Sequence, residues 1–155
     1  MDITLTKITK SNKRKLEKLM QLYLHDLSMY FPIDFEQKTC KYNYDLDSYF
    51  DKNIAYFIKG DKNIIGFVLI DINDNNEFEI SEIFILNNYK KKHAGGKAAI
   101  QIFDTFKGNW TIKAVPLSPV AETFWDNTIK KYTNNNYTKT HTGKYNRAEF
   151  YFSNK

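Results

Sequence analysis

A short basic segment with two adjacent glycines is the part of the sequence whose residue types most clearly suggest chemistry. Residues 87–97 read Asn-Asn-Tyr-Lys-Lys-Lys-His-Ala-Gly-Gly-Lys. An apolar run of strand length precedes them at residues 77–86, and a stretch with helical periodicity follows them up to Phe106. A glycine turn and a helix N-terminus both direct backbone N–H groups at an anion, and lysine adds positive charge. This order of parts predicts an anion-binding turn.

The elements that hold this turn follow from periodicity and turn residues. Apolar runs and alternating patterns predict strands at residues 2–8, 53–59, 64–72, 77–86, 110–115, 137–141 and 148–152. Helical spacing of apolar residues predicts helices at residues 13–31, 45–50, 98–106 and 118–131. Ser118 is expected to cap the last helix, with Pro119 at its first position. Gly66, inside an apolar strand, predicts a bulge or a close backbone approach.

We therefore predict a single α/β domain of the α+β type over residues 1–155. Its mixed central sheet would have about seven strands, flanked by about four helices.

The composition limits the class of protein. The chain has 155 residues, 42% of them apolar, which is too apolar for a disordered chain. It has no apolar run near the ~20 residues of a membrane span and no secretory h-region at its N-terminus. Cys40 is the only cysteine, so we expect neither an internal disulfide nor a metal site. The net charge of +5 is spread along the chain, mostly as lysine, so we expect no nucleic-acid partner. A cytoplasmic protein without a membrane segment is predicted.

Three segments together resemble a known family. They are residues 79–110, residues 115–133 with their Phe124-Trp125 pair, and the Leu-Tyr-Leu-x-Asp core at residues 22–26. They look like the GNAT acyltransferase superfamily, and more narrowly its small bacterial "predicted acetyltransferase" branch. In that branch a strand runs into a tyrosine, an Arg-x-x-Gly-x-Gly turn and a Lys-Ala-Ala helix, and a Pro-x-Asn-x-x-Ala-x-x-Phe-Trp helix comes later. The resemblance covers essentially the whole chain.

The resemblance implies acetyl-CoA as cosubstrate. The turn from Lys90 to Gly96 would hold the pyrophosphate, and the pantetheine arm would pair with the strand before it. The fourth and fifth predicted strands would splay apart over residues 80–86 and 110–115 to admit the thioester. The implied cofactor-binding residues are Ile83, Phe84, Ile85, Lys90, Lys91, Lys92, His93, Ala94, Gly95, Gly96, Lys97, Ser118 and Trp125, with Lys91, Lys92 or Lys97 on the 3′-phosphate.

Four positions depart from the family pattern. Lys90 replaces an arginine, and His93 replaces the first glycine of the turn. A histidine in a left-handed conformation costs about 1–2 kcal/mol. Ser118 replaces an asparagine, and Trp125 stands where many superfamily members have a tyrosine as general acid. Tyr132 lies two helical turns farther on, and we assign no general acid.

Two carboxylates on the strand before the turn are candidates for the general base. Direct attack of an amine on a thioester requires a neutral amine, so a carboxylate within reach would take its proton. Glu79 and Glu82 lie three positions apart, an odd separation, which predicts that they point to opposite faces of the strand. We favour Glu82, which lies nearer the expected splay, and an ion pair on the strand face is the alternative for each. The spacing gives no sign of a covalent acyl-enzyme.

The predicted function is transfer of an acetyl group from acetyl-CoA directly to a primary amine. Two alternatives stay open. One is a non-catalytic GNAT-like CoA-binding or regulatory protein, suggested by His93 and Trp125, and the other is a basic nucleic-acid-binding α/β domain. The acceptor stays open among a small amine, an aminoglycoside-like polyamine and a protein N-terminus, and the resemblance allows a homodimer. The aromatic residues that suggest an acceptor cavity are Tyr23, Tyr30, Phe31, Tyr42, Tyr44 and Tyr49.

Overall fold

The chain folds around a seven-stranded mixed sheet. The computed structural model describes all residues from 1 to 155. The strands of the main sheet are β1 (Ile3–Lys7), β4 (Ile54–Gly60), β5 (Asn63–Ile72), β6 (Glu77–Ile85), β7 (Asn109–Lys113), β8 (Thr138–Thr142) and β9 (Arg147–Ser153). Their order across the sheet is β1-β4-β5-β6-β7-β9-β8. Two short strands, β2 (Phe35–Glu36) and β3 (Lys41–Tyr42), pair separately.

Three α-helices and three short 3₁₀ helices accompany the sheet. The α-helices are α1 (Lys13–Leu27), α2 (Ala94–Thr105) and α3 (Pro119–Thr133), and the 3₁₀ helices are Lys10–Asn12, Asp47–Phe50 and Asn87–Lys92. None of these helices has the length and apolar character needed to cross a membrane. The predicted mixed sheet with helices on it is confirmed, and the short helix predicted across residues 45–50 is a 3₁₀ helix. Helix α1 ends at Leu27, earlier than predicted, and its backbone has left the helix before Pro32.

The two faces of the sheet carry separate apolar cores. Helices α2 and α3 cover one face, where Ile102, Phe103 and Ile129 pack with Trp110 and Phe150. Helix α1 and the segment that follows it cover the other face. There Leu16, Met20 and Tyr23 pack with Phe67 and Phe84. The alternation of strand residues between these two cores shows which way each side chain of the central strands points.

The pairing of β6 with β7 is the only parallel contact between neighbouring strands, and it is short. The partners run from Glu77 with Asn109 to Ile80 with Ile112, and every other pair of neighbours in the sheet is antiparallel. Strand β6 continues to Ile85 without a partner on this side. The splay predicted between the fourth and fifth long strands is therefore present, and it opens at Ser81.

Gly66 is required by a close approach between β5 and β6. A Cβ built on Gly66 would lie 1.9 Å from the carbonyl oxygen of Phe84. Real Cβ atoms do not approach a backbone atom so closely, so no other residue fits without moving a strand. This confirms the close backbone approach expected from a glycine inside an apolar strand.

Replacing Gly66 by alanine is expected to destabilise the fold. The methyl group would push β5 away from β6, and we expect a loss of about 1–3 kcal/mol, as for other overpacked sites. The free energy of unfolding measured by urea denaturation checks this.

Gly96→Ala is the matched control, because a Cβ there would meet only Thr128 Oγ1, at 3.7 Å. Gly96 lies in α2, where alanine is favoured over glycine, so this variant should be as stable as the wild type or more so. Equal stability of the Gly66→Ala variant and the wild type would contradict the close approach.

Candidate functional site

The opening between β6 and β7 leads into a cleft of about 980 Å³. The C-terminal end of α1, the N-terminal turns of α2 and α3 and the turn between β8 and β9 form the rest of its wall. Ten of the residues predicted for the site line it: Glu82, Ile83, Phe84, Ile85, Lys90, His93, Gly95, Gly96, Ser118 and Trp125. Four do not: Ala94 is buried in the core, and Lys91, Lys92 and Lys97 are exposed outside the cleft wall.

The predicted anion-binding turn is the junction between the 3₁₀ helix Asn87–Lys92 and α2. His93 joins them with φ 58° and ψ 19°, in the left-handed region, and α2 starts at Ala94. The backbone N–H groups of Ala94, Gly95 and Gly96 belong to the first turn of α2 and have no acceptor within the protein. Free N–H groups at the positive end of a helix dipole form a site for a phosphate or similar anion.

Gly95 has a packing role as well as leaving the helix end open. A Cβ at this position would lie 3.3 Å from the Phe124 ring and 3.7 Å from Ile85 Cγ1. The missing side chain lets α3 approach the first turn of α2. Neither Gly95 nor Gly96 has a positive φ, whereas His93 does. The turn therefore concentrates its backbone strain at the histidine, whose exposed side chain makes no hydrogen bond within the protein.

The open edge of β6 offers backbone groups to the cleft. The Leu86 N–H donates to Ile65 O at 2.8 Å, and the Phe84 carbonyl faces Gly66, so both residues direct their backbone toward β5. Because successive strand residues alternate, Ile83 and Ile85 direct their N–H and C=O groups toward the opening. Phe84 instead contributes its side chain to the core under α1.

Glu82 lies where the opening begins and is half-buried. Burial raises the pKa of its carboxyl to about 7, with Asp71 and Glu79 adding to the rise. The Tyr23 hydroxyl and the Arg147 charge act in the opposite direction. Burial and the nearby Glu82 charge in turn raise the pKa of Tyr23, which keeps its proton. Glu82 can thus exchange a proton near neutral pH.

A β-bulge at Ser81 corrects the predicted orientation of the two carboxylates. Glu82 stands opposite Leu69 and Ile80 opposite Ile70, so Ser81 is an extra residue in β6. The extra residue shifts the alternation by one, and Glu79 and Glu82 face the same side of the sheet. The prediction that they face opposite sides was wrong. It assumed regular alternation along β6, and the sequence shows no sign of the bulge.

The ion-pair alternative applies to Glu79 and not to Glu82. Glu79 Oε1 lies 3.5 Å from Lys113 Nζ. Glu82 has no basic side chain within ion-pair distance. The cleft therefore holds one carboxylate that is free to accept a proton.

Helix α3 supplies a wall of the cleft without a proton donor. Ser118 caps it as predicted, because its Oγ accepts the Ala121 N–H at 3.1 Å. Trp125 is buried and packs edge-on against Phe124. Tyr132 faces away from the cleft, since its hydroxyl bonds to Asp104 at 3.1 Å and to Asn154 at 3.1 Å. Tyr132 is therefore excluded as the general acid.

The comparisons with known proteins agree with this geometry. The family model described as "Acetyltransferase (GNAT) family" matches residues 16–123. The chain belongs to the GNAT acetyltransferase family. The match includes most of α1, the split strand β6, the glycine turn and the start of α3. No curated protein matches the chain.

Solved GNAT structures share the fold at low sequence identity. An acetyltransferase from Thermus thermophilus has a TM-score of 0.71 at 8% identity, covering 99% of this chain and 98% of its own. An acetyltransferase from Bacillus subtilis, in complex with CoA, has a TM-score of 0.63 at 12% identity, covering 99% and 100%. A spermidine N-acetyltransferase from Vibrio cholerae, in complex with CoA and spermine, has a TM-score of 0.64 at 16% identity, covering 97% and 95%.

The sequence analysis identified some residues of the cleft wall and missed others. Tyr23, Tyr30 and Phe31 line the cleft as suggested, whereas Tyr42, Tyr44 and Tyr49 lie outside its wall. Lys113, Tyr145 and Arg147 line it too and were missed. Lys113 lies in a strand that was predicted without a role in the site, and Tyr145 and Arg147 follow weak turn signals near the C-terminus. One signal was available: Arg147 is one of only two arginines in a lysine-rich chain. No group of three or more His, Cys, Asp or Glu side chains is arranged to hold a metal ion.

The raised pKa of Glu82 makes fold stability depend on pH. The protonated carboxyl is favoured in the folded state, so its contribution is complete below the usual pKa of 4.5 and is lost as pH rises through about 7. We expect the wild type to lose up to about 3 kcal/mol relative to Glu82→Gln between pH 4.5 and 8. Urea denaturation of both proteins at several pH values measures this difference.

Glu79→Gln is the matched control, since Glu79 is paired with Lys113 on the same face of β6. This variant should retain most of the pH dependence of the wild type, because burial is the largest cause of the raised Glu82 pKa and the Glu79 charge contributes less. Parallel stability curves for the wild type and Glu82→Gln would show that Glu82 titrates normally.

Proposed function

We propose that the protein transfers an acetyl group from acetyl-CoA directly to a primary amine. The observation that carries this proposal is the juxtaposition, in one cleft, of an unpaired strand edge, a helix end with free N–H groups and a half-buried carboxylate whose pKa is raised. Membership of the GNAT family and CoA complexes of structural neighbours support acetyl-CoA as the cosubstrate.

The residues of the cleft fit a coenzyme with a phosphate end and an amide-containing arm. The N–H groups of Ala94, Gly95 and Gly96 would bind the pyrophosphate, with charge from Lys90 and a donor from His93. The backbones of Ile83 and Ile85 would pair with the arm as an added strand does. Lys91, Lys92 and Lys97, outside the wall, remain candidates for contacts to the exposed 3′-phosphate. Trp125 and Ser118 line the cleft wall on the α3 side. Acetyl-CoA would supply an acetyl group activated as a thioester.

Glu82 is the proposed general base. An amine enters as an ammonium ion, and Glu82 takes a proton from it, directly or through one water. The neutral nitrogen then forms a bond to the acetyl carbon, the carbon–sulfur bond breaks, and the sulfur leaves with the bonding electron pair. The nitrogen loses its second proton and the sulfur gains one, so the net reaction releases one proton to solvent. A thiol of ordinary pKa near 8.5 leaves without a dedicated acid on α3.

A non-catalytic CoA-binding protein is the second candidate, and Trp125 is the observation that favours it. Its indole occupies the α3 position at which a proton-donating tyrosine is expected, and the cleft side of α3 has no substitute. Thiol release with an amine panel separates the two functions, because only an enzyme liberates CoA in proportion to added amine.

Replacing Glu82 is expected to remove proton transfer and leave coenzyme binding intact. Glu82→Gln should lower kcat/KM by about 10²–10⁴, the usual contribution of a general base. The wild-type kcat/KM should rise with pH through about 7, where Glu82 loses its proton, and the variant should lack this step. Thiol-release kinetics measure the rates, and calorimetry measures acetyl-CoA affinity.

Glu79→Gln again serves as the control, with an expected change of less than about tenfold for a partly exposed ion pair. Equal rates for the wild type and Glu82→Gln would exclude Glu82 as the base. An absence of acetyl-CoA binding to the wild type would exclude the proposed function.

The charge of Lys90 is expected to contribute to coenzyme affinity. Lys90 lines the cleft and is 51% exposed, with Asp26 Oδ2 at 3.7 Å from its Nζ. Lys90→Gln should weaken CoA binding by about 3–10-fold at low salt and less at high salt. Calorimetric titration compares it with Lys7→Gln, whose exposed side chain lies outside the cleft wall on edge strand β1. Identical CoA affinities for Lys90→Gln and Lys7→Gln would show that the CoA phosphates do not bind near Lys90.

A further inference from the structure

We propose that the acetyl acceptor is an apolar α-amino acid whose carboxylate binds to Arg147. This inference rests on the proposed acetyl transfer and adds the substrate class. It comes from one arginine, the charges around it and the apolar wall beside it.

Arg147 is anchored in the cleft and has no acidic partner. It is the first residue of β9, lines the cleft and is half-buried. Its Nε donates to the Ala114 carbonyl at 3.0 Å, which fixes the plane of the guanidinium group. No carboxylate lies within ion-pair distance of it. The two terminal nitrogens are therefore free to bind a planar anion with two parallel hydrogen bonds.

The alternation of β9 places Arg147 on the same face as Glu82. Ala148, Phe150 and Phe152 belong to the core under α2 and α3. Arg147 therefore faces the α1 side, and its charge lowers the pKa of Glu82. Arg147, a cation, and Glu82, a proton acceptor, thus lie on the same side of the opening, away from α2.

The remaining charges of the cleft wall leave Arg147 available to a ligand. Lys113 is paired with Glu79, and Lys90 lies near Asp26. Lys144 Nζ lies 5.4 Å from the centre of the Tyr145 ring and has no carboxylate partner. Beyond the wall, Glu149, on the same face of β9, accepts hydrogen bonds from Thr142 and Tyr151.

Apart from Glu82, the charged side chains that lack a partner in this part of the cleft wall are therefore positive. This distribution opposes a polyamine, which would place a second ammonium group near Arg147. It suits an amine that also carries a carboxylate.

The wall next to Arg147 is apolar and partly aromatic. The rings of Phe31 and Tyr145 lie 6.4 Å apart, and Leu27, Tyr30 and Val115 extend the surface. Such a surface stabilises an aliphatic or aromatic side chain by removing it from water. An amino acid could then direct its amine to Glu82, its carboxylate to Arg147 and its side chain to this wall.

The experiment compares L-phenylalanine with phenethylamine, which has the same ring and amine without the carboxylate, and with spermidine. Thiol release should show a kcat/KM for L-phenylalanine at least about 30-fold above that for phenethylamine, as expected for a charge-assisted pair. Arg147→Gln should lower the ratio of the two kcat/KM values, L-phenylalanine to phenethylamine, by a similar factor. Loss of the charge beside Glu82 alters proton transfer from both amines and therefore cancels in this ratio. Turnover of phenethylamine by the variant also shows that it is folded.

Arg14→Gln is the matched control, because Arg14 is the other arginine of the chain and lies exposed on α1 outside the cleft wall. It should behave as the wild type with each amine. Preference for phenethylamine or spermidine, with no effect of Arg147→Gln, would overturn the inference and leave the acetyl transfer standing.

A binding measurement keeps the inference testable if no amine is turned over. N-acetyl-L-phenylalanine, titrated calorimetrically into the wild-type protein with CoA present, should bind, and Arg147→Gln should bind it at least about 30-fold more weakly. Binding without turnover would support the carboxylate site while contradicting the proposed function. No binding to the wild type would overturn the inference.

Discussion

The incomplete pairing of β6 with β7 is the constraint on which the rest of the structure depends. Two parallel strands share a short ladder from Glu77 to Ile80 and then separate, although β6 continues to Ile85. Strand backbone groups without partners are costly unless water or a ligand satisfies them. The opening persists because each strand is held from its other side, β6 by β5 and β7 by β9. The cleft is thus a consequence of sheet topology.

The bulge at Ser81 connects this topology to the chemistry. It lies at the position where the parallel ladder ends, and it turns Glu82 to the face that also carries Glu79, Lys113 and Arg147. There the carboxyl is half-buried, and this partial burial is the largest cause of the rise of its pKa to about 7. A carboxylate of ordinary pKa would be a weaker base for an ammonium proton. The stability lost at neutral pH is the cost of holding this group in position.

The coenzyme half and the acceptor half of the cleft differ in what they take from the chain. The proposed coenzyme half would use backbone groups of Ile83, Ile85 and the first turn of α2, which depend on conformation more than on side-chain identity. This explains how Lys90 and His93 can replace an arginine and a glycine in the proposed site. The proposed acceptor half would use side chains just after α1 and at the start of β9, such as Phe31 and Arg147. Acceptor specificity would therefore depend on side chains that the backbone fold does not determine.

Most of the fold could be predicted from the sequence, and about half of the site. Strands with strong apolar patterns, the helix capped by Ser118 and the glycine turn gave local signals, and the family resemblance implied the splay. The bulge at Ser81 gave none, because it depends on how β5 and β6 pair, and so the relative orientation of Glu79 and Glu82 was predicted wrongly. Arg147 was missed for a similar reason: its position in the cleft results from the pairing of β7 with β9, 33 residues from its partner Ala114.

A crystal structure of the protein grown with CoA tests the central claim most directly. We expect density for the coenzyme in the opening between β6 and β7, with hydrogen bonds from its arm to the backbones of Ile83 and Ile85. The pyrophosphate should contact the N–H groups of Ala94–Gly96, and the sulfur should lie on the Glu82 side of the opening. A coenzyme bound outside the opening, or an opening closed by continued pairing of β6 with β7, would contradict it.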